Sequence, residues 1–353
     1  MAAVSGRERV TSMTKISRLF NLLTALVLGT ILSTTWYMQD TRIQPFKPPK
    51  MKRQPLKPSQ YCRGCRKLIN DTLEIYSRPW KKQPERVAEF RSLLREQCNG
   101  SEDAIVTKAN SPENTRLTLK RVVSRSFFNI LPWTNPFSKK TWDTCSVVGN
   151  GGILFDSHCG KEIDSADFVI RCNLPPLNGN FKTHVGNKSS LVTANPSIFK
   201  ELNKLGNYLQ RLAERIKTYG DAMIAFPDEN SLVFNSIGIL RALNSPSRPV
   251  FLNPKYLTKL TRFWRSRGVK AARLSSGFFM ISMALELCRN VHVYGFWPLN
   301  VDPFGLYYLP HHYYDNRMPK RFHKMSAEFQ SLLQLHVQGV IRLHLGSCEK
   351  PSS

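Results

Sequence analysis

His323 and Glu328 stand five residues apart at the head of a helical pattern at 326–338. An imidazole titrates near pH 6.5, so a histidine there can take a proton from a hydroxyl, although at a helix entrance it also serves as a surface residue or a cap. Glu328 either orients that ring or favours the helix N-terminus electrostatically. Ser275, Ser276 and Gly277 open a second helical pattern, whose apolar positions Ile281, Ala284, Leu285 and Cys288 keep a helical period. Free N–H groups and the positive dipole end make such a terminus an anion site, and Ser275 suits an N-cap. Asn150 lies in VVGNGGIL, between Gly149 and the pair Gly151 and Gly152, where an amide can hydrogen-bond a ligand and the glycines let backbone come close.

The elements that position them follow from the chain after Cys145. The β-rich runs CSVVGN, ADFVIRCN, SLVTANP, DAMIAFP, RPVFLNP and VHVYGFW alternate with helical patterns near 200–217, 255–267, 277–289 and 326–338. That order predicts an α/β fold with a mostly parallel sheet flanked by helices. Ligands in such sheets sit beyond the C-terminal strand ends, where Asn150, Asn173, Asn195 and Asn253 fall. Phe296 and Trp297 end one strand, either as core or as ligand contacts. A dinucleotide fingerprint starting at Gly149 breaks at Leu154, and Asn173 stands where its acidic residue belongs, so nicotinamide and flavin chemistry are excluded. No D-x-D pair offers a hard metal its carboxylates; EID at 162–164 is the nearest imitation and is expected on a helix surface. No metal or other cofactor is expected.

The formal charge of +26, from 51 Lys+Arg against 25 Asp+Glu, suits anionic partners. Location decides which. Residues 19–39 carry no charge over a stretch close to the ~20 residues that cross a bilayer, with Trp36 and Tyr37 near the end, and are read as a signal anchor. Eight cysteines and the N-x-S/T acceptors Asn70, Asn99 and Asn187 fit an oxidising, glycosylating lumen, where nucleic acid is no partner. The expected organisation is a cytosolic tail (1–18), a membrane anchor (19–39), a Pro-rich basic stem (40–66) and a lumenal domain (67–353). In that domain 67–144 is mostly helical, with a helix at Pro84–Gln97, and 145–353 is the core. C-x2-C at 62–65 lacks a second pair with zinc spacing; Cys62, Cys65 and Cys98 stay unassigned, and Cys172, inside a strand, is read as a buried free thiol.

Residues 145–192, CSVVGNGGILFDSHCGKEIDSADFVIRCNLPPLNGNFKTHVGNKSSLV, resemble the large sialylmotif of eukaryotic sialyltransferases. RLSSGFFMISMALELCRNVHVYGFW at 273–297 resembles their small motif, HYYD at 312–315 their motif III, and His323 with Glu328 the very small motif H-x4-E. CNLPP, GFWP at 295–298 and HHYYDN look like the α2,8-linking branch, and PWKKQPERVAEFRSLLREQC like its type VI members.

The resemblance implies a Rossmann-like GT-A-variant enzyme, single-pass type II in the Golgi membrane. Such an enzyme transfers sialic acid from CMP-sialic acid to a terminal sialic acid of glycoprotein O-glycans or glycolipids, with inversion and without metal. It is compatible with a homodimer. It assigns His323 as general base and His312, rather than the adjacent His311, to the donor phosphate; Tyr313 and Tyr314 are contacts or packing. It assigns Asn150, Gly151, Asn173, Ser275, Ser276, Gly277, Phe296 and Trp297 to the donor, and pairs Cys145 with Cys288 and Cys159 with Cys348. Another linkage, α2,3 or α2,6, and a catalytically weak sialoside-binding protein are the alternatives. Donor and acceptor are both anionic, which gives the basic excess a steering use.

Overall fold

The computed structural model describes residues 21, 23–30, 54–55, 65–119, 121–204, 207–227, 237–238, 240–241, 244–271, 273–304, 307–315 and 325–348. The chain divides into two units, Met1–Pro49 and Lys50–Ser353. In the first, residues 23–30 are helical with Leu23, Leu26, Val27 and Leu28 exposed. Most of the expected anchor lies outside the described residues, and among those described no helix is long and apolar enough to cross a membrane.

The second unit is built on seven strands: β1 (Trp142–Val148), β2 (Phe168–Arg171), β3 (Leu191–Thr193), β4 (Met223–Phe226), β5 (Arg248–Phe251), β6 (Cys288–Tyr294) and β7 (Arg342–His344). They lie in the order β7-β6-β1-β2-β3-β4-β5, and every pairing is parallel. Short runs such as FVIR, LVT and MIAF are buried at every position, as a sheet covered on both faces demands. Seven helices carry the cover: α1 (Cys65–Tyr76), α2 (Pro84–Gln97), α3 (Pro196–Lys204), α4 (Tyr208–Lys217), α5 (Pro254–Ser266), α6 (Ser276–Leu287) and α7 (Met325–Val337). One face packs Val147, Ile170 and Val293 with α2, α5, α6 and α7. The other packs Val148, Val169 and Val192 with α3 and α4.

Several boundaries differ from the sequence reading. The pattern at 200–217 is two helices, because Asn207 takes a left-handed φ of 45° between them. α6 stops at Leu287, since Cys288 pairs with Trp142 as the first residue of β6. The mostly helical stretch 67–144 also holds an antiparallel pair, Arg116–Thr118 with Arg121–Val122. Gln54–Pro55, within the stretch read as stem, pairs with Tyr307–Tyr308. β7 has only RLH, too short to show alternation. Its surroundings are closed by side chains: Trp80 Nε1 donates to the Ile341 carbonyl at 3.0 Å, the Leu345 N–H to Tyr76 Oη at 3.2 Å, and the Leu343 N–H to His336 Nδ1 at 3.2 Å. Burial pushes His336 down to about 4, which keeps it neutral and able to accept.

Both expected disulfides are present, Cys145–Cys288 between β1 and the start of β6, and Cys159–Cys348 from the loop after β1 to the C-terminal segment. Cys98 and Cys172 are buried and free, and burial raises both thiols to about 12. The side chains of Cys62 and Cys65 lie outside the described residues.

Glu286, 1 % exposed on α6, receives the Gly100 N–H at 2.6 Å and the Tyr256 hydroxyl at 3.2 Å. Desolvation outweighs these bonds and raises its pKa from 4.5 to about 7. The folded state therefore keeps a proton that the unfolded chain releases, so stability present below pH 4.5 is lost as pH rises through 7. The stability difference between Glu286→Gln and the parent should shift toward the variant by up to about 3 kcal/mol across that window. Urea unfolding at several pH values measures it, and a constant difference would refute the assignment.

Candidate functional site

Strand order reverses between β1 and β6, so a crevice opens at their C-terminal ends. There the two chain segments touch backbone to backbone: the Gly149 N–H donates to the Tyr294 carbonyl at 2.8 Å and the Gly151 N–H to the Gly295 carbonyl at 3.0 Å. A Cβ on Gly149 would lie 2.7 Å, and one on Gly151 2.6 Å, from the Gly295 oxygen, and Gly295 itself has φ +76°. Only glycine fits these places.

Asn150, held between them, donates Nδ2 to the Cys172 carbonyl at 2.7 Å. Its Oδ1 is buried and has no hydrogen-bond partner among the described residues. A buried acceptor left so costs about 1–3 kcal/mol, which a ligand N–H or O–H would offset. The segment 311–315 lies along this turn: the Tyr313 N–H donates to the Asn150 carbonyl at 3.0 Å, and Gly151 bridges His312. His312 Nδ1 is 2.8 Å from Asp315 Oδ2, its ring stacked 5.1 Å from Tyr314 and half-exposed. A carboxylate on Nδ1 sets the tautomer and leaves Nε2 for a ligand. Tyr313 is packing, buried with its hydroxyl on the Pro176 carbonyl at 2.7 Å.

Next to this turn, Asn173 follows β2 in a left-handed conformation, φ 63°. Its N–H donates to Thr193 Oγ1 at 2.8 Å and its Oδ1 receives the Asn195 N–H at 3.0 Å. Asn195 Nδ2 in turn donates to Ser276 Oγ at 3.1 Å, which joins the ends of β2 and β3 to the first turn of α6. Behind them the buried Arg171 guanidinium binds the carbonyls of Lys188 and Val185 and Asp164 Oδ1. Asp164 also receives the N–H groups of Asn187 and Lys188 at 2.8 and 3.0 Å. EID lies on a short helix, Gly160–Asp164, as expected, but its carboxylates are engaged: Asp164 anchors this loop, and Glu162 receives the Tyr294 hydroxyl at 2.9 Å.

α6 begins as its sequence suggests, with Ser275 Oγ receiving the Phe278 N–H at 3.1 Å. The Ser275 N–H itself donates to Glu328 Oε1 at 2.7 Å, so the buried Glu328, in the first turn of α7, serves the start of a different helix. The Phe296 ring fills the space where a Gly277 Cβ would lie 2.5 Å from it, linking α6 to the end of β6. Trp297 is turned into the core: 7 % exposed, its indole N–H on the Val301 carbonyl at 2.7 Å and its ring edge-on to Phe329. His323 lies outside the described residues. Asp315 went unassigned in the sequence, though its i, i+3 spacing from His312 was a usable signal. Of the glycan acceptors, Asn70 and Asn187 are exposed, whereas Asn99 is half-buried and bonded through Oδ1 to Ser101.

A profile of glycosyltransferase family 29 (sialyltransferase) matches residues 93–340. The chain belongs to the sialyltransferase family. It is 40 % identical over 291 residues to human alpha-2,8-sialyltransferase 8F, covering 78 % of this chain and 72 % of that one. To rat alpha-2,8-sialyltransferase 8E it is 38 % identical over 282 residues, 76 % of this chain and 75 % of the relative. A crystal structure of a mammalian sialyltransferase with Gal-beta-1-3GalNAc-ortho-nitrophenol aligns at TM-score 0.41 and 20 % identity over 87 % of this chain and 93 % of that one, too distant to add to the assignment.

The glycine contact makes a direct prediction for this sialyltransferase. Gly151→Ala must part the ends of β1 and β6, because the methyl meets a backbone oxygen and not a movable side chain. A loss of about 1–3 kcal/mol is expected in denaturant unfolding, together with reduced sialyl transfer. Unchanged stability would mean that the two strand ends are not in contact.

Proposed function

We propose that this sialyltransferase forms α2,8 linkages, moving sialic acid from CMP-sialic acid to a terminal sialic acid on glycoprotein O-glycans or glycolipids, with inversion. The observation that carries the reading is the Glu328–Ser275 hydrogen bond, which ties the H-x4-E segment to the mouth of α6 at 2.7 Å. The linkage is supported by the names of the relatives, each an alpha-2,8-sialyltransferase.

In this reading the N–H groups at the start of α6 and His312 Nε2 receive the donor phosphate. As the bond from the anomeric carbon to the phosphate oxygen breaks, the charge gathering on that oxygen is stabilised by donors already in place, and CMP departs without a metal. Asp315 acts through His312 as a positioning residue. Asn150 Oδ1 and the Asn173–Asn195 pair take the hydroxyl and amino groups of the nucleotide. His323, two residues before α7, removes the proton of the acceptor hydroxyl as that oxygen attacks the opposite face. The chain is anchored by residues 19–39 as a type II Golgi membrane protein, and the basic excess steers anionic substrates inward.

Three measurements test this. Incubating the full chain with CMP-sialic acid and a panel of α2,3- and α2,6-sialylated glycolipids and O-glycans should give α2,8-linked product; transfer to galactose alone would assign another linkage. His323→Ala should abolish turnover while leaving CMP binding within about twofold, and retained turnover would remove His323 as base. Glu328→Gln, which weakens one charge-assisted hydrogen bond, should raise the donor KM about tenfold or more.

A further inference from the structure

The face of β6 opposite α6 carries Asn290, His292 and Tyr294, and the same face of β7 carries Arg342 and His344; Thr144 and Ser146 of β1 lie beside Asn290 and His292. This strip is met by the short helix Gly160–Asp164 through Glu162, and by the end of α1 across a shared cavity. His292 Nδ1 lies 3.2 Å from His344 Nε2, and His344 Nδ1 lies 3.5 Å from Glu162 Oε1. One ligand atom from each of the three residues falls within 4.8 Å of the other two. All three are half-buried, and none belongs to the donor crevice.

We propose that Glu162, His292 and His344 form a binding site for a transition-metal dication, zinc by ligand type, that fastens the β6–β7 edge of the sheet to the 160–164 turn. Two imidazoles and one carboxylate are a borderline ligand set that zinc accepts and that calcium and magnesium do not favour. Two nitrogens on one tetrahedral zinc, at Zn–N of about 2.0–2.1 Å, stand about 3.3 Å apart, close to the separation present. Without an ion the same nitrogens share a proton as N–H···N; Glu162 meets the other nitrogen of His344, so its carboxylate must swing round the ring edge to join the ion held by His344 Nε2 and His292 Nδ1. Glu162 and His344 line a cavity of about 740 Å³ that opens beside Cys348, which gives the ion an entry path and room for a water as fourth ligand. Arg342, a nearby cation, lines the same cavity, with its guanidinium 5.5 Å from the Trp80 ring centroid. The role is structural: the ion adds a polar tie between segments that the Cys159–Cys348 disulfide and the stacking of Tyr294 on His344 already bring together.

The test uses the full chain in detergent with Cys62→Ser and Cys65→Ser, so that C-x2-C cannot account for metal. After zinc loading and gel filtration, about one zinc per chain should remain by elemental analysis, and the thermal midpoint should rise by several degrees. Replacement by cobalt should give the intense visible bands of four-coordination. His292→Ala and Glu162→Gln should each lose the retained zinc and the thermal shift; Glu162→Gln keeps an acceptor for Tyr294, so its metal-free melting temperature should match the parent. A second group, Asp156, His158 and His184, is the built-in control. No retained zinc, retention in both variants, or loss with His184→Ala instead would each overturn the proposal.

Discussion

Everything in the second unit hangs on how closely two parallel strands can approach at their ends. β1 and β6 are joined over their whole length, from Trp142 with Cys288 to Val148 with Tyr294, and just past that register three residues without side chains let the backbones stay together. Sheets normally splay where their strands run out, because side chains begin to compete for the space. Here Gly149, Gly151 and Gly295 remove that competition, and the pocket floor is main chain. A floor of main chain has fixed N–H and C=O directions, which a floor of side-chain rotamers lacks.

The polar groups around that floor are held by the protein on one side only. Asn150 gives its amino group to Cys172 and keeps its oxygen; His312 gives Nδ1 to Asp315 and keeps Nε2; the start of α6 is pinned through the Ser275 N–H and capped by the Ser275 hydroxyl on the Phe278 N–H. Half-satisfied groups of this kind are costly in a core and useful in a site, since their orientation is settled before any ligand arrives. Arg171 and Asp164 perform the equivalent task for the loop behind Asn173, deeper in the protein and with bonds made to the protein itself.

Much of this was legible in the residues, and the exceptions have physical causes. Serine before an apolar helical period marks a cap, and the cap is there; the glycines beside Asn150, read as room for backbone to approach a ligand, are approached in the structure by the Gly295 backbone. Helix α2 keeps the bounds read from the sequence, Pro84–Gln97. β7 was invisible because three residues cannot show a period, and its stability comes from Tyr76, Trp80 and His336, side chains of other elements. Trp297 was ambiguous because a strand-end aromatic serves a ligand or a core equally well, and only its bond to Val301 separates the two. The partner of Glu328 could not be read either: a carboxylate in the first turn of one helix gives no sign that it serves the first turn of another.

The order of strands has a consequence for how the molecule is made. β1 is the earliest strand of the sheet in the chain and sits third across it, with later strands β2 to β5 filling one flank in sequence order and the last two, β6 and β7, filling the other. While the polypeptide emerges, one flank of β1 must wait unpaired for a segment that begins 143 residues after Cys145. A second covalent tie reaches Cys159 from Cys348, 189 residues later, beyond β7. Until β6 arrives, that edge of β1 is an unpaired strand edge of the kind that favours wrong pairing.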